Sequence, residues 1–196
     1  MDIRNWFPSI KNKNIIKQII INDSIENKFI VTKEQIKNDK IFIYTDGSCF
    51  KNGKKNVPGG IGIYIPSLNI NISEKIPNAT NNIAELKAII RAIEIINSRN
   101  ISKIVIIYTD SQYSIKCCTQ WIKKWIWDPV DKIYKKKGRN KKMIDVKNSQ
   151  LIRIIVDYLS KNRKIWLKHI KAHTSKKDKH SVGNDMADQL AKKALT

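Results

Sequence analysis

Two aspartates in this chain stand at the ends of matching apolar runs. Ile41-Phe42-Ile43-Tyr44-Thr45-Asp46-Gly47-Ser48 is echoed by Ile104-Val105-Ile106-Ile107-Tyr108-Thr109-Asp110-Ser111. Short apolar runs bounded by turn residues read as strands buried on both faces, as in sheets covered by helices. Each run presents a carboxylate at its C-terminal tip, where open α/β sheets place their ligands. If the strands are neighbours, Asp46 and Asp110 point into one crevice. Two converging carboxylates repel each other unless a cation lies between them, and a divalent metal with oxygen ligands answers that need. Two further acids stand nearby in the pattern. Glu85 is read in the first turn of a long helix, and Asp188 one turn into the last helix, within Asn184 to Ala191. Acids also favour helix N-termini because of the helix dipole alone, so neither position is decisive by itself.

The elements that must position these acids can be followed along the chain. Residues 1–40 are polar and rich in Lys, Asn and Ile, without a clear strand, and read as an N-terminal extension, partly disordered or docked. Residues 41–196 read as one domain. Three strands in a meander come first: the Ile41 run, Gly59 to Ile65, and Ile70 to Ile76. A helix then starts at Ala79-Thr80-Asn81-Asn82 and carries a 3.6-residue apolar stripe through Ile83, Leu86, Ile90 and Ile93. It leads as a crossover into the second Tyr-Thr-Asp strand. Short helices are expected over Ser111 to Cys118 and Thr119 to Trp125, and a basic loop over Lys132 to Lys142. A helix follows over Asn148 to Lys161, with Leu151, Ile154, Ile155, Tyr158 and Leu159 inward. A strand covers Ile165 to Ile170, a polar loop Lys171 to Val182, and a final helix Asn184 to Ala194. The fold class is therefore α/β.

The bulk numbers constrain the partner. A formal charge of +21, from 38 bases and 17 acids, favours nucleic acid. Enrichment in Ile, Lys and Asn is what A+T-rich coding would produce, but it does not as readily explain the shortage of acids. No apolar run approaches the roughly 20 residues of a membrane span, so no membrane partner is expected. Cys49, Cys117 and Cys118 lack metal-ligand spacing, and adjacent Cys117 and Cys118 make a poor disulfide framework. With no signal-peptide pattern at the N-terminus, an intracellular, reducing location is expected, in cytoplasm, nucleus or a viral replication site.

Seven stretches in order resemble the ribonuclease H family, type 1. They are Tyr-Thr-Asp-Gly-Ser-Cys (44–49), Gly-Gly-Ile-Gly (59–62), Thr-Asn-Asn with Ala-Glu-Leu (80–86), Tyr-Thr-Asp-Ser-Gln-Tyr (108–113), Trp-Ile-Lys-Lys-Trp (121–125), Val-Lys-Asn (146–148) and Asn184 to Ala191. Each is weak or moderate alone; the ordered set, over about residues 41–194, is specific. The resemblance implies a five-stranded mixed sheet flanked by helices, with a basic protrusion. It implies cleavage of the RNA strand of RNA·DNA hybrids, leaving 5′-phosphate and 3′-hydroxyl ends, as in primer or R-loop removal; a monomer is expected. The family's catalytic carboxylates fall on Asp46, Glu85, Asp110 and Asp188. These would hold two Mg2+, with Mn2+ as a substitute, Asp46 bridging them.

The same resemblance implies the remaining site residues. His173 would assist proton transfer or product release, with His180 as a rival in the longer loop, and Asp185 would tune the second metal. Asn52, Asn81, Asn82 and Gln112 would line minor-groove contacts, with Ser48 and Cys49 on the RNA, where a 2′-hydroxyl must be sensed. Thr80 would hold a DNA phosphate, and Asn148 a further substrate contact. Trp121 and Trp125 would give the protrusion an apolar base, while Lys135, Lys136 and Lys137 meet phosphates. Near the start, Ile3, Trp6 and Phe7 resemble a sliding-clamp binding peptide, without its usual leading glutamine. Two other readings stay open: a catalytically silent hybrid-binding module, and a clamp-tethered accessory.

Overall fold

The computed structural model describes residues 40–50, 57–172 and 177–196. The N-terminal segment with Ile3, Trp6 and Phe7, and the residues Asn52 and His173, lie outside the described residues. Five strands form the main sheet: β1 (Lys40–Cys49), β2 (Gly59–Ile65), β3 (Ile70–Ile76), β4 (Ile104–Thr109) and β8 (Ile165–His169), in the order β3-β2-β1-β4-β8. β1 and β2, and β2 and β3, pair antiparallel, while β4 runs parallel to both β1 and β8. The sheet is thus mixed, as the family resemblance implies. The parallel register sets Tyr44 against Tyr108 and Thr45 against Thr109, so the doubled motif lies side by side and its aspartates emerge at one level.

Helix α1 (Asn81–Ser98) makes the crossover from β3 to β4. Its N-cap is Thr80, whose hydroxyl accepts from the Ile83 amide at 3.3 Å. Its buried stripe is Ala84, Leu86, Ala88, Ile89, Ala92, Ile93, Ile95 and Ile96. The small members let the helix lie close to the strands. Glu85 is the fifth helical residue, one turn deeper than the sequence pattern indicated. A short α2 (Gln112–Ile115) passes into a π-type turn at Lys116–Gln120 and a 3-10 turn at Trp121–Lys124, where two separate helices were expected. Buried Cys117, Cys118 and Ile122 keep this winding segment in the core.

The stretch expected to be a basic loop is instead the middle of a small sheet. Strands β5 (Ile126–Asp128), β6 (Ile133–Lys137) and β7 (Met143–Asp145) pair antiparallel in that order. Tyr134 anchors the small sheet: it is buried, and Trp125 and Trp127 lie 6.1 and 4.9 Å from its ring. Helix α3 (Ser149–Lys161) buries Ser149, Ile152, Ile155 and Val156. Its inward face is therefore rotated from the expected one; Ile154 is exposed and Ile152 takes its place.

The last helix, α4 (Lys179–Lys193), begins five residues before the expected Asn184. Asp178 caps it, accepting from the amides of His180 and Ser181 at 2.9 and 3.2 Å. Asp188 consequently sits in mid-helix rather than one turn in. α4 packs across β1, β2 and β3, whereas α1 packs on β1 and β2 and against α3. The seat of α4 depends on Gly62. A methyl group there would run into the Ala187 carbonyl oxygen and the Ala191 amide nitrogen, which are rigid backbone.

We expect Gly62→Ala to lower stability by roughly 1–3 kcal/mol, because the overlap must be relieved by shifting a whole helix. A urea melt should show a lower midpoint; an unchanged midpoint would mean that α4 does not rest on this strand as described.

Candidate active site

The site is built where the parallel β1–β4 ladder ends at Thr45 and Thr109; β1 itself continues to Cys49 along β2, so Asp46 is not at the strand tip expected from the sequence. Asp46 lies within β1 opposite Gly62, and Asp110 follows the last residue of β4. Glu85 is brought to them by a close approach of α1 to β1 at Gly47. A Cβ at Gly47 would overlap the backbone of Ala84 and Glu85, so only glycine allows this spacing. As a result, ligand oxygens of Asp46, Glu85 and Asp110 lie within 4.8 Å of one another. Asp46 is only 6% exposed.

Such crowding is electrostatically unfavourable for three anions. Burial first, then the charges of Asp110 and Asp188, push the Asp46 carboxyl up to about 7. Burial, then Asp46 and Asp110, hold the Glu85 carboxyl well above the usual range. Opposing this, the Gly47 amide donates to both groups, and Thr109 Oγ1 donates to Glu85 Oε2 at 3.4 Å. These neutral donors offset only part of the repulsion, so protons or cations must share the site. The donor set is all oxygen, which suits hard divalent cations and not thiol-seeking metals. Asn184 fits as well: it is 2% exposed and its Oδ1 has no hydrogen-bond partner among the described residues, while its Nδ2 donates to Asp110 Oδ2 at 3.3 Å.

Asp188 stands apart from the other three. It is close enough to raise Asp46, yet its Oδ2 is paired with Lys192 Nζ at 2.7 Å, one turn along α4. The structure therefore joins three of the four expected carboxylates directly and leaves the fourth beside them with its own counter-ion. Asp185 is half-buried on the same helix, next to Asn184. His180 is not a loop residue. It lies in the first turn of α4, Nδ1 is 2.9 Å from the Tyr44 hydroxyl, and its ring packs on Tyr108 and Phe42. Those contacts give it a structural place, with its pKa held below the ordinary value mainly by burial.

The surrounding expected contacts differ in exposure, and Gln112 Oε1 accepts from Lys116 Nζ at 3.3 Å. Asn81, Asn82 and Gln112 are exposed at helix starts, and Ser48 is half-buried at the end of β1. Cys49 donates to the Ala79 carbonyl at 3.2 Å. Thr80 is engaged as a helix cap. Asn148 has a left-handed backbone (φ 61°) and donates to the Tyr113 hydroxyl at 3.0 Å, beside a groove of about 310 Å³ lined by Ile83, Ile133 and Val146. Trp125 is 8% exposed and packs on Tyr134 beneath the small sheet, whereas Trp121 is 41% exposed. One expectation is corrected. Lys135 is not an open phosphate ligand: Asp128 and Asp131 hold its ammonium at 2.7 and 2.6 Å. Lys136 and Lys137 are exposed on the same strand.

Three contributors were not picked out from the sequence. Thr109 was legible as part of the doubled motif but not as a partner of Glu85. Asn184 lies four residues before Asp188, one helical turn away, which is a usable signal once the helix is known to include both. Lys192 follows Asp188 by the same spacing.

The class of protein follows from this arrangement: an α/β domain with an acidic, oxygen-only site at the ends of two parallel strands and a basic appendage beyond it. The model of the RNase H family matches residues 38–196, and the chain belongs to that family. It is 33% identical over 182 residues to "Ribonuclease H" of Schizosaccharomyces pombe, an alignment covering 91% of this chain and 60% of that protein. It is 35% identical over 159 residues to "Ribonuclease H" of Ruthia magnifica, covering 80% of this chain and 96% of that one. Among solved structures, a foamy viral protease-reverse transcriptase in complex with dsDNA superposes with a TM-score of 0.58 and 26% identity, over 79% of this chain and 92% of that chain.

The raised carboxyl of Asp46 has a consequence for stability. Its ordinary value is 3.8 and its folded value about 7, so between them the native state binds more protons than the unfolded chain. Stability contributed by this group is therefore present at low pH and lost as pH rises through that interval. In chelator at about pH 8, we expect Asp46→Asn to melt roughly 3–8 °C above the parent. The gap should close by about pH 4.5. Equal melting temperatures at both values would contradict the described repulsion.

Proposed function

We propose that this chain cleaves the RNA strand of RNA·DNA hybrids endonucleolytically, using two divalent metals held by Asp46, Glu85, Asp110 and Asp188. The observation that carries this reading is the meeting of three carboxylates at the ends of paired parallel strands, with Asp188 beside them, in a member of the RNase H family. The chain spans 60% of the length of its fission-yeast relative, so the activity is argued from the site itself. Mg2+ is the expected ion and Mn2+ a substitute; when bound, such ions supply an activated water and a counter-charge for the departing 3′ oxygen.

The chain's own residues do the positioning. Asp46, buried within the group, would help to hold the ions. Glu85 is oriented by Thr109 and Asp110 by Asn184. Asp188, whose Oδ2 is paired with Lys192, would complete the set of carboxylates that hold the ions. Ser48 and Gln112 lie two residues beyond Asp46 and Asp110, and Asn81 and Asn82 open the helix that carries Glu85; side chains that both donate and accept would suit recognition of a 2′-hydroxyl there. Lys136 and Lys137 offer exposed ammonium groups to the second strand. His173 is assigned to proton transfer or product release by family resemblance alone.

Purified full-length chain should cut a labelled RNA·DNA hybrid with Mg2+ or Mn2+, leave double-stranded DNA intact, and do nothing in chelator. Asp110→Asn should lower the rate by roughly a thousandfold or more. Its hybrid affinity in chelator should stay within about threefold of the parent. End-labelling should find 5′-phosphate and 3′-hydroxyl products. Cleavage at the parental rate by Asp110→Asn, or in chelator, would overturn the proposal.

A further inference from the structure

We propose a second nucleic-acid surface: the outer face of β4 and β8, centred on Trp166, binds single-stranded nucleic acid that runs on from the hybrid. Side chains alternate across a strand, so Trp166 and Lys168 share one face of β8. Pairing continues that face inward: Trp166 lies opposite Ile106, and Ile106 opposite Phe42. Lys168 lies opposite Tyr108, and Tyr108 opposite Tyr44. α4 covers this side of the sheet over β1, β2 and β3, and its Ala187 closes over Tyr44 and Tyr108. Beyond it, on the edge strand, Trp166 remains 44% exposed, with Phe42 and Ile106 half-buried beside it.

An exposed tryptophan on a sheet face has several conceivable partners, and the surrounding charges decide among them. Lys168 Nζ lies 5.9 Å from the Tyr108 ring and Lys179 Nζ 4.3 Å from the Phe42 ring. Lys164, just before β8, donates to the Ser102 carbonyl at 2.8 Å, which holds its ammonium at the same edge. Asp178 stands at the start of α4, and both its oxygens are committed to His180 and Ser181. An exposed aromatic ring on a sheet face whose neighbouring rings carry ammonium groups is a combination that can stack a base and meet its phosphates. An apolar protein partner would have no use for the flanking cations.

The location favours a strand leaving the catalytic cleft. Phe42 and Ile106 precede Asp46 and Asp110 by four residues each, roughly 13 Å along the strands. The continuity with the hybrid rests on the hydrolytic reading above; the single-strand binding itself does not. No carboxylate of the catalytic group belongs to this surface.

The test is fluorescence anisotropy in chelator with full-length protein and labelled single-stranded oligodeoxynucleotide, oligoribonucleotide, blunt hybrid, and hybrid with a single-stranded overhang. Trp166→Ala should weaken single-strand and overhang binding roughly tenfold. Lys168→Glu should weaken it too and flatten its salt dependence. The DNA and RNA arms show which strand is preferred. Blunt-hybrid affinity, and cleavage of blunt hybrid with Mg2+, should stay within about twofold, which separates this proposal from the hydrolytic one. Single-strand affinity that is absent in the parent, or unchanged in both variants, would overturn it. So would light scattering that shows a parental dimer lost in Trp166→Ala, since the surface would then serve a second copy of the chain.

Discussion

The mutual repulsion of Asp46, Glu85 and Asp110 is the interaction to which the rest of the domain responds. Left to itself, a chain would keep three carboxylates apart, in water. Here they are fixed within 4.8 Å by elements that have no freedom to separate them. Asp46 and Asp110 are held in register by the β1–β4 ladder. Glu85 is held by a helix whose backbone rests against Gly47. The packing of the sheet and α1 opposes the repulsion, and the Asp46 and Glu85 carboxyls shift toward their protonated forms. A site strained in this way has a strong electrostatic preference for divalent cations, because one ion relieves several repulsions at once.

Two glycines set the geometry by what they lack. Gly47 lets α1 approach one face of the sheet, and Gly62 lets α4 approach the other. Between them they fix where Glu85, Asn184 and Asp188 stand relative to Asp46. The basic appendage is organised by different forces. Its small sheet is tied to the domain by Trp125, Trp127 and Tyr134, and Arg153 of α3 lies 4.9 Å from the Trp127 ring. Of its cations, Lys135 is spent on holding the Asp128–Asp131 turn, so the outward charge comes from its neighbours.

The two central strands with Asp46 and Asp110 were legible because both apolar runs end in Tyr-Thr-Asp, and Glu85 because it lies early in a helix with a clear apolar stripe; the parallel register then sets the two aspartates at one level. The start of α4 was not. Lys179-His180-Ser181-Val182-Gly183 looks polar and broken by glycine, and only Asp178 capping the amides beyond it reveals a helix. The inward face of α3 was misplaced because its isoleucines are dense enough to fit two neighbouring stripes, and packing chose Ile152, Ile155 and Val156. The small sheet was hidden because β7 is exposed along its whole length and leaves no alternation to read. Pairings such as Asp188 with Lys192 and Lys135 with Asp128 depend on which turn each residue occupies, so they became visible only with those elements in place.

The central claim is that carboxylates sharing protons give them up to a divalent cation. It is tested most directly by calorimetric titration of Mn2+ into the full chain near pH 6.5, in two buffers of different ionisation enthalpy. Binding should release on the order of one proton, with less released at about pH 8.5, and Glu85→Gln should weaken both the binding and the release. Metal binding with no proton release at either pH, unaffected by Glu85→Gln, would contradict the account.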